Sequence, residues 1–185
     1  MSRPLRQEVV GAWVRRLRTE RRMSLRELAR LSDFSPSFIS QVENGVVSPS
    51  IASMQTIATA LGTTLGEFFA AAAEGDTGLI VRVADRLQMS SLWSNARIEA
   101  LSPMKGQRFE PVLITLDPGG RSSKHPTARD TEEFAFVLSG EPTLTLGPDE
   151  HLLRTGDAVT IRPRELRRWE NRSSVVVRIL VVSNR

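Results

Sequence analysis

A chain of 185 residues can bury one ordinary hydrophobic core or two small ones, so two domains are allowed but not required. The sequence has no cysteine and only two histidines, which excludes disulfides, thiolate metal sites and a zinc site built on three histidines. The net charge is +4, and its excess is concentrated in residues 1–70, where nine arginines stand against six acidic residues.

This positive charge fits either a solvated helix face or attraction to nucleic-acid phosphates, and charge alone does not decide between them. No segment approaches the roughly 20 consecutive apolar residues of a membrane-spanning helix, and residues 1–10 are too polar for a secretory signal. We therefore expect a cytoplasmic protein without a membrane partner.

Residues 7–70 carry apolar side chains at helical spacing, with breaks between short segments. The pattern predicts five helices, at residues 7–22, 24–31, 35–43, 50–61 and 64–70. Hydroxyl side chains that can cap a helix begin four of them: Ser24, Ser35, Ser50 and Thr64. Pro36 suits a first helical turn, where its nitrogen needs no hydrogen bond. We assign residues 7–70 to one helical domain.

Residues 71–78 are rich in small residues and predict a linker. Beyond it the pattern changes to short apolar or β-branched runs separated by turn residues, which predict strands. The runs span residues 112–116, 134–138, 143–146, 158–161 and 175–182. The sequence therefore predicts an α+β protein of two domains, with a closed all-β barrel or jelly roll over residues 79–185.

Three segments of the helical domain closely resemble the Xre-type, or phage-repressor-like, helix-turn-helix family. They are residues 24–29 (SLRELA), 35–45 (SPSFISQVENG) and 49–61, which contains PS at its start and IATAL at its end. The resemblance covers about 60 residues and implies that the third helix enters the DNA major groove.

This resemblance implies a role for each exposed position of the third helix. Pro36, Ser37 and Gln41 are expected to face base edges, and the amide of Gln41 can pair bidentately with adenine. Phe38 fits either a thymine methyl group or the hydrophobic core equally well. The expected phosphate contacts are Ser35, Ser40 and Asn44. Arg18 and Glu43 match the positions of a family ion pair that ties the first helix to the end of the third.

The β-rich part resembles the two sequence motifs of the cupin family over roughly residues 90–183. The matching residues are Gly119, His125, Pro126, Thr127, Glu133, Gly140, Gly156, Asp157, Pro163 and Asn171. In metal-binding cupins the first motif supplies two histidines and a glutamate, and these positions read His125, Thr127 and Glu133. The third histidine falls on Arg167 or Arg168, depending on the register. Because arginine cannot ligate a metal, we expect no metal and no cofactor.

Two interpretations of this arginine remain open. In one, Arg167 or Arg168 pairs with Glu133 and the barrel serves mainly for dimerisation. In the other, the arginine binds a carboxylate, sulfate or phosphate of a small organic effector, with Phe134, Phe136 and Trp169 lining the cavity where they face inward. The expected effector-binding residues are His125, Thr127, Glu133, Arg167, Arg168 and Trp169.

The combined resemblance implies a sequence-specific DNA-binding transcriptional regulator, more commonly a repressor, that is not an enzyme. A homodimer is expected on a near-palindromic double-stranded operator, because a single helix-turn-helix buries little surface. The alternative is a metal-dependent cupin enzyme, similar to a non-haem iron oxygenase or epoxidase, that carries a helix-turn-helix domain. A scaffold that has lost DNA binding is disfavoured by Gln41 and Asn44.

Overall fold

The computed structural model describes residues 3–4, 7–65, 67, 80–91, 94–102 and 108–184, and the side chains of residues 3, 4, 7 and 8 are outside this description. Its helices lie in the N-terminal part and most of its strands in the C-terminal part, as the sequence predicts. No helix among the described residues is long and apolar enough to cross a membrane.

Four complete helices of the N-terminal domain lie among the described residues, and their ends agree with the predicted ones to within two residues. They are α1 (Gln7–Glu20), α2 (Leu25–Leu31), α3 (Pro36–Glu43) and α4 (Ile51–Ala60). The hydroxyls of Ser24, Ser35 and Ser50 each accept a hydrogen bond from a backbone amide in the first turn. The fifth predicted helix is described only at Leu65 and Glu67, which are both helical.

The angle between α2 and α3 is fixed by small and branched apolar side chains. Leu28 and Ala29 of α2 and Ile39 and Val42 of α3 are all fully buried in one hydrophobic cluster. Packing of this kind defines a helix-turn-helix unit formed by α2 and α3, in which the outer side of α3 stays accessible.

In the described part of the chain after α4, a short 3₁₀ helix (Val83–Asp85) is followed by nine strands, and a two-residue strand β1 (Arg3–Pro4) precedes α1. The nine are β2 (Leu87–Ser91), β3 (Ala96–Ala100), β4 (Phe109–Leu116), β5 (Glu133–Ser139), β6 (Thr143–Leu146), β7 (Asp149–Leu152), β8 (Ala158–Ile161), β9 (Arg167–Glu170) and β10 (Val177–Asn184). The five predicted strands are present, and four more were not predicted: β2, β3, β7 and β9.

The strands form two sheets. The larger has the order β1-β2-β3-β4-β10-β5-β8, and the smaller has the order β7-β6-β9. Inward side chains of both sheets, such as Ile98, Ile179, Leu144 and Trp169, belong to one buried cluster. The β-rich cupin domain is therefore present, whereas closure into a jelly roll and a complete fifth helix stay predictions, as do the domain boundaries and the linker at 71–78, which lies outside the described residues.

The two domains are in direct contact through α4. This helix packs against β2 and β3, and the Ser48 hydroxyl donates a hydrogen bond of 3.1 Å to the backbone oxygen of Ser90. Strand β1 adds a second connection, because Arg3 pairs in parallel with Leu87 at the edge of the larger sheet.

Candidate nucleic-acid interface and ligand cavity

Helix α3 presents a polar side to solvent. Pro36, Ser37, Gln41 and Asn44 are exposed along it, while Ile39 and Val42 on the other side are buried. The Ser35 hydroxyl accepts the Phe38 amide at 3.1 Å and so closes the first turn. The predicted base-reading residues therefore share one accessible surface at the start of a capped helix.

Two predicted contact residues are engaged within the domain. The ring of Phe38 is partly buried and lies 4.8 Å from that of Phe34, centroid to centroid, which favours a core role for Phe38. The Asn44 side-chain amide donates to the backbone oxygen of Ser40 at 2.8 Å. This bond holds Asn44 at the end of α3.

Arg18 and Glu43 form a bidentate ion pair between α1 and the end of α3. Nε and Nη2 of Arg18 donate to the two carboxylate oxygens at 2.6 and 2.9 Å, and Nη1 donates to the backbone oxygen of Met23 at 2.8 Å. The side chains are 12% and 5% exposed. Hydrogen bonding to Glu43 raises the pKa of Arg18.

Gly11 allows α1 to approach α3 closely at the same place. A Cβ atom added at Gly11 would lie 2.6 Å from the backbone oxygen of Glu43 and would also meet that of Val42. Gly11 was not predicted from the sequence to be a contact residue, although a glycine inside a helical pattern is a signal of close packing.

In the cupin domain the arginine and the glutamate of the two motifs are paired. Nε and Nη2 of Arg167 donate to the Glu133 carboxylate at 2.6 and 3.0 Å. Nη1 donates to the backbone and hydroxyl oxygens of Thr127 at 2.8 and 3.1 Å. The Glu133 side chain is only 3% exposed.

A second guanidinium, that of Arg129, also binds Glu133. Its Nη1 donates to Oε1 at 2.7 Å. Burial would raise the pKa of the Glu133 carboxyl, but the charges of Arg129 and Arg167 and their hydrogen bonds outweigh it and hold the pKa below its ordinary value. Arg129 was not predicted, because nothing in its local sequence distinguishes it from other loop arginines.

The other predicted effector residues divide into two groups. Thr127 and Trp169 line the same cavity as Glu133 and Arg167. His125 is exposed and absent from that lining, and Arg168 pairs with Glu170 at 2.9 Å instead. Successive side chains of β9 point to opposite faces, so Arg167 and Arg168 cannot both face inward.

Phe134 and Phe136 were expected to line the cavity only if they faced inward, and for the same reason they do not. Glu133, Ala135 and Val137 are the buried residues of β5, and Phe134, which alternates with them, is 44% exposed. The two phenylalanines therefore lie on the outer face of the larger sheet.

The residues present do not fit a cupin metal ion. Glu133 is bound by two guanidinium groups, His125 is exposed, and the third histidine position holds Arg167. Within the described ranges no three histidine, aspartate or glutamate side chains are grouped closely enough to hold a metal.

Comparisons with known proteins agree with both domains. Residues 14–68 match the family described as Helix-turn-helix, and residues 112–183 match that described as Cupin domain. The chain is 26% identical to the HTH-type transcriptional regulator PuuR of Escherichia coli over 174 residues, which cover 92% of this chain and 91% of PuuR. PuuR of Shigella flexneri matches equally.

Solved structures share the fold. An HTH_3 family transcriptional regulator from Vibrio cholerae superposes with a TM-score of 0.77 at 23% identity, with 97% of each chain covered. Iron(II) HppE gives a TM-score of 0.51 at 20% identity, covering 97% of this chain and all of HppE. The two family matches and the similarity to PuuR over 92% of the chain therefore show an Xre-type helix-turn-helix domain followed by a cupin domain, as in a PuuR-like transcriptional regulator.

Proposed function

We propose that this DNA-binding regulator is a repressor that reads a near-palindromic operator through the exposed side of α3. The observation that supports this most strongly is the surface formed by Pro36, Ser37, Gln41 and Asn44, on a helix whose other side is buried. Gln41 is the residue whose amide reads adenine, and Ser37 adds a less selective contact.

Phosphate contacts set the register of the same helix. Ser35 and Asn44 lie at its two ends and Ser40 lies one turn before Asn44, and their hydroxyl and amide groups can reach the backbone of the duplex. Arg15 is exposed on α1 and supplies a cation with no base preference. Phe38 contributes packing with Phe34 rather than base recognition.

The functional unit is a homodimer that uses the outer face of the larger sheet. Phe134 pairs with Val182 of β10, Phe136 pairs with Leu180, and all four side chains lie on the face opposite the buried Ala135 and Val181. Phe134 and Leu138 are each 44% exposed and Phe109 is 50% exposed. An apolar surface of this kind is costly to leave in water and suits a second copy of the chain.

The cupin domain contributes residues to the site of a small organic effector and is not the site of metal chemistry. The pairing of Glu133 with Arg129 and Arg167 leaves no open carboxylate for iron, which argues against the alternative of an HppE-like enzyme despite the shared fold. Elemental analysis that finds stoichiometric iron, manganese or zinc in the purified protein would overturn this part of the proposal.

A gel-shift experiment on the promoter of the chain's own gene tests the DNA-binding proposal. Wild-type protein is expected to form a complex that resists excess unrelated DNA, and the Gln41→Ala variant is expected to lose part of that resistance while remaining folded. A complex that unrelated DNA displaces as easily as operator DNA would contradict sequence-specific reading.

Sedimentation of the wild type beside the Phe134→Asp variant tests the dimer. The wild type should sediment as a dimer and the variant as a monomer.

A further inference from the structure

The cavity inside the cupin domain is too small for an organic effector. It has a volume of about 30 Å³, enough for only one or two water molecules. Its mouth opens toward the helical domain into a cleft of about 850 Å³, which is within the range of small-molecule sites. The same five residues line both spaces: Ala52, Gln55, Thr127, Arg129 and Arg167. The cleft is thus the accessible extension of the cupin cavity.

Arg167 is poorly suited to hold a ligand in this cleft. Its guanidinium donates four hydrogen bonds to Glu133 and Thr127, and its side chain is 8% exposed. Glu133 is in turn held on both oxygens. This pair therefore forms the floor of the site, with its charges already matched to each other.

Arg129 has the opposite character. Among the described residues it forms one hydrogen bond, from Nη1 to Glu133, and its side chain is 23% exposed at the point where cavity and cleft meet. Glu133 is already paired bidentately with Arg167 and takes only one hydrogen bond from Arg129. The other N–H groups of the planar Arg129 guanidinium can therefore donate to the carboxylate of a ligand.

The other charges of the cleft limit the class of ligand. Asp130 pairs with Arg164 at 3.1 Å, and Glu67 accepts a hydrogen bond from the Thr63 hydroxyl at 2.7 Å. Glu110 also lines the cleft and acts electrostatically on Arg129. These carboxylates would repel a polyanion such as a nucleotide, whereas a small organic acid that places one carboxylate on Arg129 is tolerated.

The opposite wall of the cleft belongs to the DNA-binding domain. Ala52, Gln55, Thr56 and Thr59 of α4 line it, while Met54 and Ile57 of the same helix are buried in the helical core. The Gln55 side chain can donate to or accept from a polar group of a ligand. A molecule in the cleft therefore contacts both domains at once.

We propose that a small carboxylate ligand binds between the two domains, with its carboxylate on Arg129 and its body against Gln55 and Thr56 of α4. This inference rests on the proposed function, since it places the effector of the regulator. Because α4 packs on α2 of the helix-turn-helix unit, occupancy of the cleft favours one placement of α3 over others. Thermodynamic linkage makes this coupling reciprocal. If the ligand changes the affinity of the protein for its operator by some factor, the operator must change the affinity for the ligand by the same factor.

Thermal shift followed by calorimetry on the full chain tests the site. The probes are propionate, lactate, succinate, glutarate and glutamate. Diamines with the same chain lengths as the dicarboxylates are the control, because they carry the opposite charge. At least one carboxylate is expected to raise the melting temperature and the diamines are not. Arg129→Gln should weaken the bound carboxylate about tenfold or more, and Gln55→Ala about two- to tenfold.

Two further variants keep the result interpretable if Arg129→Gln destabilises the protein. Thr56→Trp adds bulk at an exposed position of the cleft wall, leaves Arg129 in place, and should abolish carboxylate binding while the protein stays folded. Arg154→Gln removes an exposed arginine outside the cleft and should change nothing.

Each outcome has a distinct meaning. Absence of any carboxylate shift, preference for the diamines, or carboxylate binding that survives both Arg129→Gln and Thr56→Trp would overturn the inference. Those results leave the DNA-binding proposal intact as long as wild type still binds its operator selectively. Loss of operator selectivity in wild type would instead contradict the proposed function.

Discussion

Gln41 is the residue that we propose recognises a base in the operator. Replacing Gln41 with Ala removes the bidentate amide, so discrimination at one base pair per half-site should fall by about 1 to 3 kcal/mol. Competition binding with operators that carry single base-pair substitutions measures this change. Arg15→Ala is the control, because loss of an exposed cation should weaken all sequences alike and reduce the salt slope by about one. Equal discrimination in wild type and Gln41→Ala would rule out this role.

The Arg18–Glu43 pair joins stability to recognition. Arg18→Ala would leave Glu43 buried without its cation and would free the end of α3, where Asn44 lies. We expect a loss of about 2 to 4 kcal/mol in the free energy of unfolding, together with weaker operator binding. Urea unfolding and gel shift measure the two effects. Normal stability with normal binding would show that the pair is dispensable.

Glu133 makes stability depend on pH in the acid range. Its pKa is lower in the folded protein than in the unfolded chain, so the native state binds fewer protons and its ionised carboxylate stabilises the fold at neutral pH. This contribution is complete above the unfolded pKa of about 4.3 and is lost as pH falls through the folded pKa. Urea unfolding from pH 7 to pH 3 should show the decline.

Glu133→Gln provides the comparison for this dependence. The variant should be less stable at pH 7 by about 3 kcal/mol, because Arg129 and Arg167 then lack their anion, and its stability should fall less steeply toward acid. Parallel pH profiles for wild type and variant would contradict the assignment.

Site residues were predictable from sequence only where a motif marked them. The positions of Gln41, Arg18 and Glu133 follow from the two resemblances. Arg129 could not be found in this way, because it reaches Glu133 from a loop through a contact that exists only in the folded chain. The choice between Arg167 and Arg168 also needed the structure, since it depends on which side of β9 faces inward.

At the scale of elements, helices were easier to predict than strands. Four helices carry an apolar period and a capping hydroxyl or a clear break, which fixed their ends to within two residues. Strand β7 has no buried residue, so it has no apolar alternation to detect. The inward side of β9 could not be recognised from apolar alternation, because one of its two inward residues is Arg167.

The packing of α1 on α3 gives a prediction at this scale. Gly11→Ala raises intrinsic helix propensity by about 1 kcal/mol, yet its Cβ would collide with the backbone at the end of α3. We expect net destabilisation of about 1 to 3 kcal/mol and weaker operator binding, because α3 must move. Circular dichroism during urea unfolding measures the first effect. A stabilised variant that binds normally would show that α1 and α3 do not approach this closely.

At the scale of the whole molecule, α4 is an element that contacts both domains. The helix belongs to the helical core through Met54 and Ile57 and to the cleft through Gln55. The sequence could assign α4 to the helical domain, but it could not show that α4 covers the mouth of the cupin cavity. Contacts between domains leave no periodic pattern in either segment.

Footprinting on operator DNA selected from genomic fragments tests the central claim, that a dimer of this chain reads DNA through α3. We predict two protected half-sites of related, inverted sequence with centres about 34 Å apart, or one turn of the duplex. Protection in the Gln41→Ala variant should spread to unrelated fragments. A single unrepeated site bound tightly by a monomer, or selected fragments without any common sequence, would contradict the claim.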